Sequence, residues 1–107
     1  MMYTIINGKK YEIIPFNSFS GKLKCLMFKK SLISDIYLFK RCSMIHTFFM
    51  KQNIDICILD RNKRIVYLKS NLGKNKIIIK KGYYTLEMPL GLASKLKLGE
   101  TIEINEK

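Results

Sequence analysis

Short runs of apolar residues, many alternating with polar ones and broken by turn residues about every ten positions, dominate this chain. Tyr3-Thr4-Ile5-Ile6 and Lys10-Tyr11-Glu12-Ile13-Ile14 flank Asn7-Gly8. A type I′ turn needs positive φ at both central residues, which Asn-Gly adopts with least strain, so this segment is predicted to be a β-hairpin. Ile36-Tyr37-Leu38-Phe39 reads as a buried strand, and Ile45 to Met50 as another. Ile54 to Leu59, the turn Asp60-Arg61-Asn62-Lys63 and Arg64 to Leu68 form a second predicted hairpin. Successive side chains of a strand point to opposite faces. Ile54, Ile56 and Ile58 therefore share one face, and Asp55, Cys57 and Leu59 the other.

Ser70 to Lys76 reads as a polar loop, Ile77 to Ile79 as a brief apolar run between lysines, and Tyr83 to Met88 as a strand halted by Pro89. Glu100 to Ile104 alternates and is predicted to be a last, half-exposed strand. Two short helices are expected. Ser18 can cap one reaching to about Phe28, with Leu23, Leu26 and Met27 on its apolar face. Leu92, Ala93 and Leu96 suggest the other, ending near Gly99, a residue suited to a left-handed cap. The predicted fold is α+β but mostly β: a compact antiparallel barrel-like or rolled sheet with two short helices.

Length and composition narrow this further. A chain of 107 residues is expected to form a single domain with one modest core. Cys25, Cys42 and Cys57 are odd in number and form no C-x-x-C pair, which fits neither a disulfide framework nor a zinc knuckle and suits a reducing cytoplasm. No basic-then-apolar leader is visible at Met1-Met2-Tyr3-Thr4. No apolar run approaches the ~20 residues that span a bilayer. The expectation is a soluble, cytoplasmic protein.

The formal net charge is +12. Such a field attracts an anionic partner, either nucleic acid or an acidic protein. Lysine supplies most of it, the arginines being Arg41, Arg61 and Arg64. Lys, Ile, Asn and Tyr are also the residues of A/T-rich codons, so codon bias explains part of the excess. The strongest local basic patch is Lys74, Lys76, Lys80 and Lys81, followed by the aromatic pair Tyr83 and Tyr84.

Chemistry-bearing residues are sparse. His46, the sole histidine, follows Cys42 by four positions, about 13 Å along a straight strand. One Cys and one His make too few ligands for a structural zinc site, and no metal or cofactor is expected. Asp55 and Glu87 interrupt apolar strands, where a carboxylate needs a charge partner or hydrogen bonds; Lys51, His46 or a backbone N–H are the candidates for Asp55. The two carboxyls would form an acid–base couple if the fold joined them.

The middle of the chain resembles a known family. Leu26-Met27-Phe28, Leu32, Leu38-Phe39, Cys42-Ser43-Met44-Ile45-His46-Thr47-Phe48-Phe49-Met50, Ile54-Asp55, Leu59-Asp60 and Val66 carry the likeness, followed by Thr85-Leu86-Glu87-Met88-Pro89-Leu90-Gly91 and Gly99-Glu100. From about Ser18 to Ile104 this pattern resembles domain-of-unknown-function family 192, uncharacterised small bacterial and archaeal proteins. Cys25 stands where the family has glycine, Leu72-Gly73 where it has proline and tryptophan, and Glu100 where it has aspartate. Many relatives carry an export signal. The resemblance implies a barrel-like α+β fold and no assigned activity. A site shared with the family would use His46, Thr47, Lys51, Asp55 and Glu87. The functional expectation is a non-enzymatic binding or interaction module with a basic surface able to hold an anionic partner. The alternative is a small enzyme or ligand-binding protein using His46 with Asp55 or Glu87.

Overall fold

In the computed structural model, residues 2–16, 24–26, 36–40, 44–46, 53–73, 76–80 and 82–106 are described, and they form two sheets. The strands are β1 (Met2–Ile6), β2 (Lys9–Phe16), β3 (Lys24–Leu26), β4 (Ile36–Lys40), β5 (Met44–His46), β6 (Ile54–Leu59), β7 (Ile65–Leu72), β8 (Ile77–Ile79), β9 (Tyr84–Met88) and β10 (Asn105–Glu106). The large sheet runs β10-β1-β2-β4-β9-β6-β7, and a small one runs β3-β5-β8.

Both predicted hairpins form. Asn7 and Gly8 take φ of 52° and 82° and join β1 to β2 with Ile6 opposite Lys9. β6 and β7 pair antiparallel across the Asp60–Lys63 turn, where an Asp60 carboxylate oxygen accepts the N–H groups of Asn62 and Arg64. Asp is suited to this position because its short side chain can satisfy backbone donors two and four residues on.

Several expectations are corrected. The large sheet is not closed, so the barrel is replaced by an open rolled sheet. It is also mixed rather than antiparallel, because β2 and β4 pair parallel, as do β3 and β5. Lys24–Leu26 is strand, not helix, its backbone paired with β5; the rest of the Ser18–Phe28 segment lies outside the described residues. The second helix is a single 3₁₀ turn, Leu92–Lys95, since Leu96 is already extended. Gly99 does adopt a left-handed φ of 90°, but within a turn closed by Glu100 N–H to Lys97 O. β7 continues to Leu72, through what reads as a polar loop, because a bulge at Asn71 (φ 56°) keeps the ladder going past polar residues. The expected strand from Glu100 to Ile104 reduces to an isolated bridge, Arg64 to Thr101, before β10.

Proline within β2 has a positional reason. A two-residue hairpin makes Ile6 and Lys9 a hydrogen-bonded pair, so the odd-numbered residues of β2 point their N–H groups toward β1. The β1 ladder ends at Ile13, and Pro15 falls beyond it while still pairing with Leu38 of β4. Its missing N–H therefore costs no ladder bond.

The core lies on both faces of the central strands. On one face Ile13, Ile36, Leu38, Cys57, Leu59, Leu86 and Met88 pack with Leu92, Ala93 and Ile102. On the other, Phe39, Ile54, Ile56, Ile58, Thr85 and Glu87 are also buried, so all six residues of β6 are inaccessible. Burying one isoleucine contributes on the order of 1.5–3 kcal/mol. The backbone at Gly82 crosses the second face so closely that a Cβ there would lie 2.1 Å from Cγ2 of Ile58.

Candidate functional site

Asp55 and Glu87 occupy neighbouring strands. In the β6–β9 register Asp55 faces Met88, whereas Glu87 faces Ile56. Directly opposed residues share a face and consecutive residues alternate. The two carboxyls therefore project from opposite sides of the sheet, and no acid–base couple forms between them.

Asp55 is fully buried, and its environment accounts for it. One carboxylate oxygen accepts the N–H of Asn71 at 2.8 Å, and the other accepts Gly91 N–H at 2.9 Å and Ala93 N–H at 2.8 Å. Of the candidate partners, backbone N–H groups are the ones engaged. Asn71 is the bulge residue of β7, and the Asn53 amide donates to its side-chain oxygen at 2.7 Å. Gly91 (φ 95°) ends a tight turn in which Leu92 N–H donates to Pro89 O. That geometry is type II, whose third residue must have positive φ. Gly91 also precedes the 3₁₀ turn and has no side chain to cap it. Asp55 supplies that cap from another strand. One carboxylate thus fastens β6, the β7 bulge and the Pro89–Gly91 turn.

Glu87 is 1% exposed on the second face, beside Tyr37 of β4 in register. The backbone of His46 lies in β5 of the small sheet, paired with Leu26 and Ile77. Thr47 and Lys51 lie outside the described residues, as do Lys74 and Lys81 of the predicted basic patch. Lys76 and Lys80 are exposed. Among the described residues, no three His, Cys, Asp or Glu side chains gather where a metal would bind. Cys57 is buried without a disulfide, and burial pushes its thiol from 9.0 up to about 12. It is an apolar core residue at neutral pH, not a nucleophile.

A different constellation stands at one end of the large sheet. The β6–β7 turn brings Arg61 over the ring of Tyr83 at 5.5 Å and Lys63 over Tyr84 at 5.8 Å. Lys80 lies over Tyr67 at 5.2 Å, but Tyr67 is opposite Ile58 whereas Tyr84 is opposite Leu59, so this pair stands apart, on the other face of the sheet. Tyr83 and Tyr84 meet edge to face with centroids 4.7 Å apart. A cation within about 6 Å of a ring is drawn to its negative face. Lys40, at the end of β4, is opposite Tyr84 in register. Lys40, Lys63 and Tyr84 also border a cleft of about 380 Å³ with Met2, Leu38 and Ile104 among its apolar walls. Lys80, Tyr83 and Tyr84 belong to the stretch singled out in the sequence. Arg61 and Lys63 were missed as partners, because only the pairing of β6 with β7 and β9 brings them to Tyr83 and Tyr84. The available signal was the position of Arg61 and Lys63 in a predicted turn.

Two solved structures share the fold. A protein of unknown function from Novosphingobium aromaticivorans superposes with a TM-score of 0.72 at 14% identity, over 95% of this chain and 82% of that one. A protein from Sinorhizobium meliloti, described as a candidate transcription regulator, gives a TM-score of 0.69 at 16% identity, over 97% of this chain and 90% of that one. No curated protein matches significantly. No described helix is long and apolar enough to cross a membrane. The profile of domain-of-unknown-function family 192 ("Uncharacterized ACR") matches residues 3–104. Asp55 and the Pro89–Gly91 turn, two separate marks of the resemblance, are one hydrogen-bonded unit in the fold. This chain belongs to domain-of-unknown-function family 192.

Proposed function

We propose that this protein is a binding module whose anionic partner is single-stranded nucleic acid, held at the cation–tyrosine corner. The observation that carries this reading is the pairing of Arg61 with Tyr83 and of Lys63 with Tyr84 at the end of one sheet. Cations bind phosphate, and tyrosine rings stack on bases of any identity. An acidic protein would use the charge alone and has no need of the rings. The engagement of Asp55 by backbone donors speaks against the alternative in which it serves an enzyme.

The test is fluorescence anisotropy of a labelled single-stranded oligonucleotide titrated with the full chain at several salt concentrations. Binding that weakens steeply with salt supports the reading. Absence of binding at low salt overturns it, and equal binding to a polyglutamate chain of the same length reassigns the corner to acidic proteins.

A further inference from the structure

The open edge of the rolled sheet suggests a contact between copies of this chain. Residues 99–102 hydrogen-bond to Lys63 and Ile65 at the β7 side, through Gly99 N–H to Ile65 O, Ile65 N–H to Glu100 O and Ile102 N–H to Lys63 O. A few residues later the same segment pairs with β1, Tyr3 opposite Asn105 and Met2 opposite Glu106. Between these attachments the segment diverges from β1. No backbone hydrogen bond among the described residues joins Thr4–Ile6 to residues 100–103, and a cleft of about 520 Å³ lies between them.

This cleft has the character of an unfilled strand position. Ile6 and Lys9 are a hydrogen-bonded pair, so Ile5 turns its own N–H and C=O away from β2 and toward the cleft. The Ile5 side chain is 57% exposed. Thr4, on the inner rim, is 1% exposed, and its hydroxyl has no hydrogen-bond partner. Glu100 and Glu103 line the opposite rim. Lys95 also lines the cleft, so its lining holds two carboxylates against one ammonium and is net negative within a strongly basic chain.

The molecule carries a complementary element. β8 is the edge of the small sheet, with the sequence Lys76-Ile77-Ile78-Ile79-Lys80, and Ile79 is 73% exposed. Pairing β8 antiparallel with another β8 would set lysine against lysine, a usual protection of edges. The acidic rim beside β1 removes that penalty. We propose that β8 of one copy adds to the free edge of β1 in a second copy, its lysines meeting Glu100 and Glu103. Because the two surfaces differ, each single contact leaves one β8 and one β1 edge, which either meet reciprocally in a two-fold pair or extend the assembly head-to-tail.

Sedimentation equilibrium of the full chain tests this. Average mass should climb with protein concentration above the monomer. Ile5→Lys and Ile79→Lys should each be monomeric, and both positions are exposed, so the fold should tolerate them. An equimolar mixture of the two variants should associate again and stop at a one-to-one dimer, since one keeps β8 and the other keeps the β1 edge. Glu103→Lys serves as a second edge variant, should behave like Ile5→Lys and should likewise be rescued by Ile79→Lys. A wild-type chain that stays monomeric overturns the proposal. So does a mixture that stays monomeric while wild type associates, and so does either single variant that associates alone.

Discussion

Asp55 and Glu87 lie on adjacent strands, one residue out of step, and that single step sends their carboxyls to opposite faces of the sheet. One is fastened by three backbone N–H groups against the 3₁₀ turn; the other sits beside Tyr37 on the second face. Their separation bears on stability before it bears on chemistry.

Replacing Asp55 should destabilise strongly. Hydrogen bonds to a charged acceptor are worth about 1.5–3 kcal/mol each, and deleting the acceptor leaves buried donors unmet. Asp55→Ala is expected to cost about 3–5 kcal/mol in urea unfolding. Asp55→Asn should cost less, because one oxygen remains, yet still be measurable. An Asp55→Ala protein within about 0.5 kcal/mol of wild type would show that the three contacts do not hold the fold.

Gly82 is predicted to be intolerant through contact rather than backbone conformation. A Cβ would sit 2.1 Å from Cγ2 of Ile58 and 3.3 Å from the Leu59 carbonyl oxygen. Gly82→Ala should cost about 1–3 kcal/mol by overpacking. Ile58→Leu removes the β-branch at nearly constant volume. The double variant should therefore be more stable than the sum of the single effects predicts, as a double-mutant cycle in urea would reveal. Additive costs would mean that another neighbour resists the methyl group.

Cys57 gives a pH dependence of definite sign. Its thiol is raised from 9.0 to about 12 by burial. Below pH 9 it is protonated in folded and unfolded chains alike, and its contribution to stability is fully present. Between pH 9 and about 12 the unfolded chain releases the proton while the folded chain retains it, so stability falls as pH rises. Cys57→Ala should be less stable at neutral pH but lose less between pH 9 and 11. In a Cys25→Ser, Cys42→Ser background, Cys57 should react with an aromatic disulfide reagent only as fast as the protein opens. Immediate labelling in native buffer would contradict its burial.

The cation–tyrosine corner separates two kinds of loss. Arg61→Gln and Lys63→Gln should each reduce oligonucleotide affinity and flatten the salt dependence by about 0.7 in the log–log slope per lost phosphate contact. Tyr83→Leu should weaken binding by about 1–3 kcal/mol with the slope unchanged, because stacking releases no counterions. If Tyr83→Leu binds as wild type while the charge variants fail, the rings are structural only.

Local chemistry made parts of this fold legible. Asn7-Gly8 and Asp60–Lys63 specify their turns by themselves, and alternation assigns Ile56 and Cys57 to the faces they occupy. The open edge was not legible, because whether residues 100–104 pair with β1 or β7 depends on how far the whole sheet rolls. The parallel β2–β4 pairing is likewise invisible in strands that differ little from antiparallel ones. At Lys24–Leu26 an apparent helical spacing was overridden by pairing with β5. For the site, the need of Asp55 for partners was readable, but their identity was not. Asn71, Gly91 and Ala93 lie 16, 36 and 38 residues away and offer only backbone groups. Arg61 and Tyr83 were separately visible, and only the sheet's register makes them neighbours.

The pairing of Met2 and Tyr3 with Glu106 and Asn105 closes the longest loop of the sheet. It joins positions separated by nearly the whole sequence, so its loop-closure entropy is the largest of any ladder in the sheet. The β1–β2 and β6–β7 hairpins close short loops and can form early. The β10 ladder rewards the chain only after the intervening strands are in place. A topology with so many distant partners is expected to fold on the millisecond-to-second scale, and in that interval the edges of β1 and β8, unpaired among the described residues, are most exposed to aggregation.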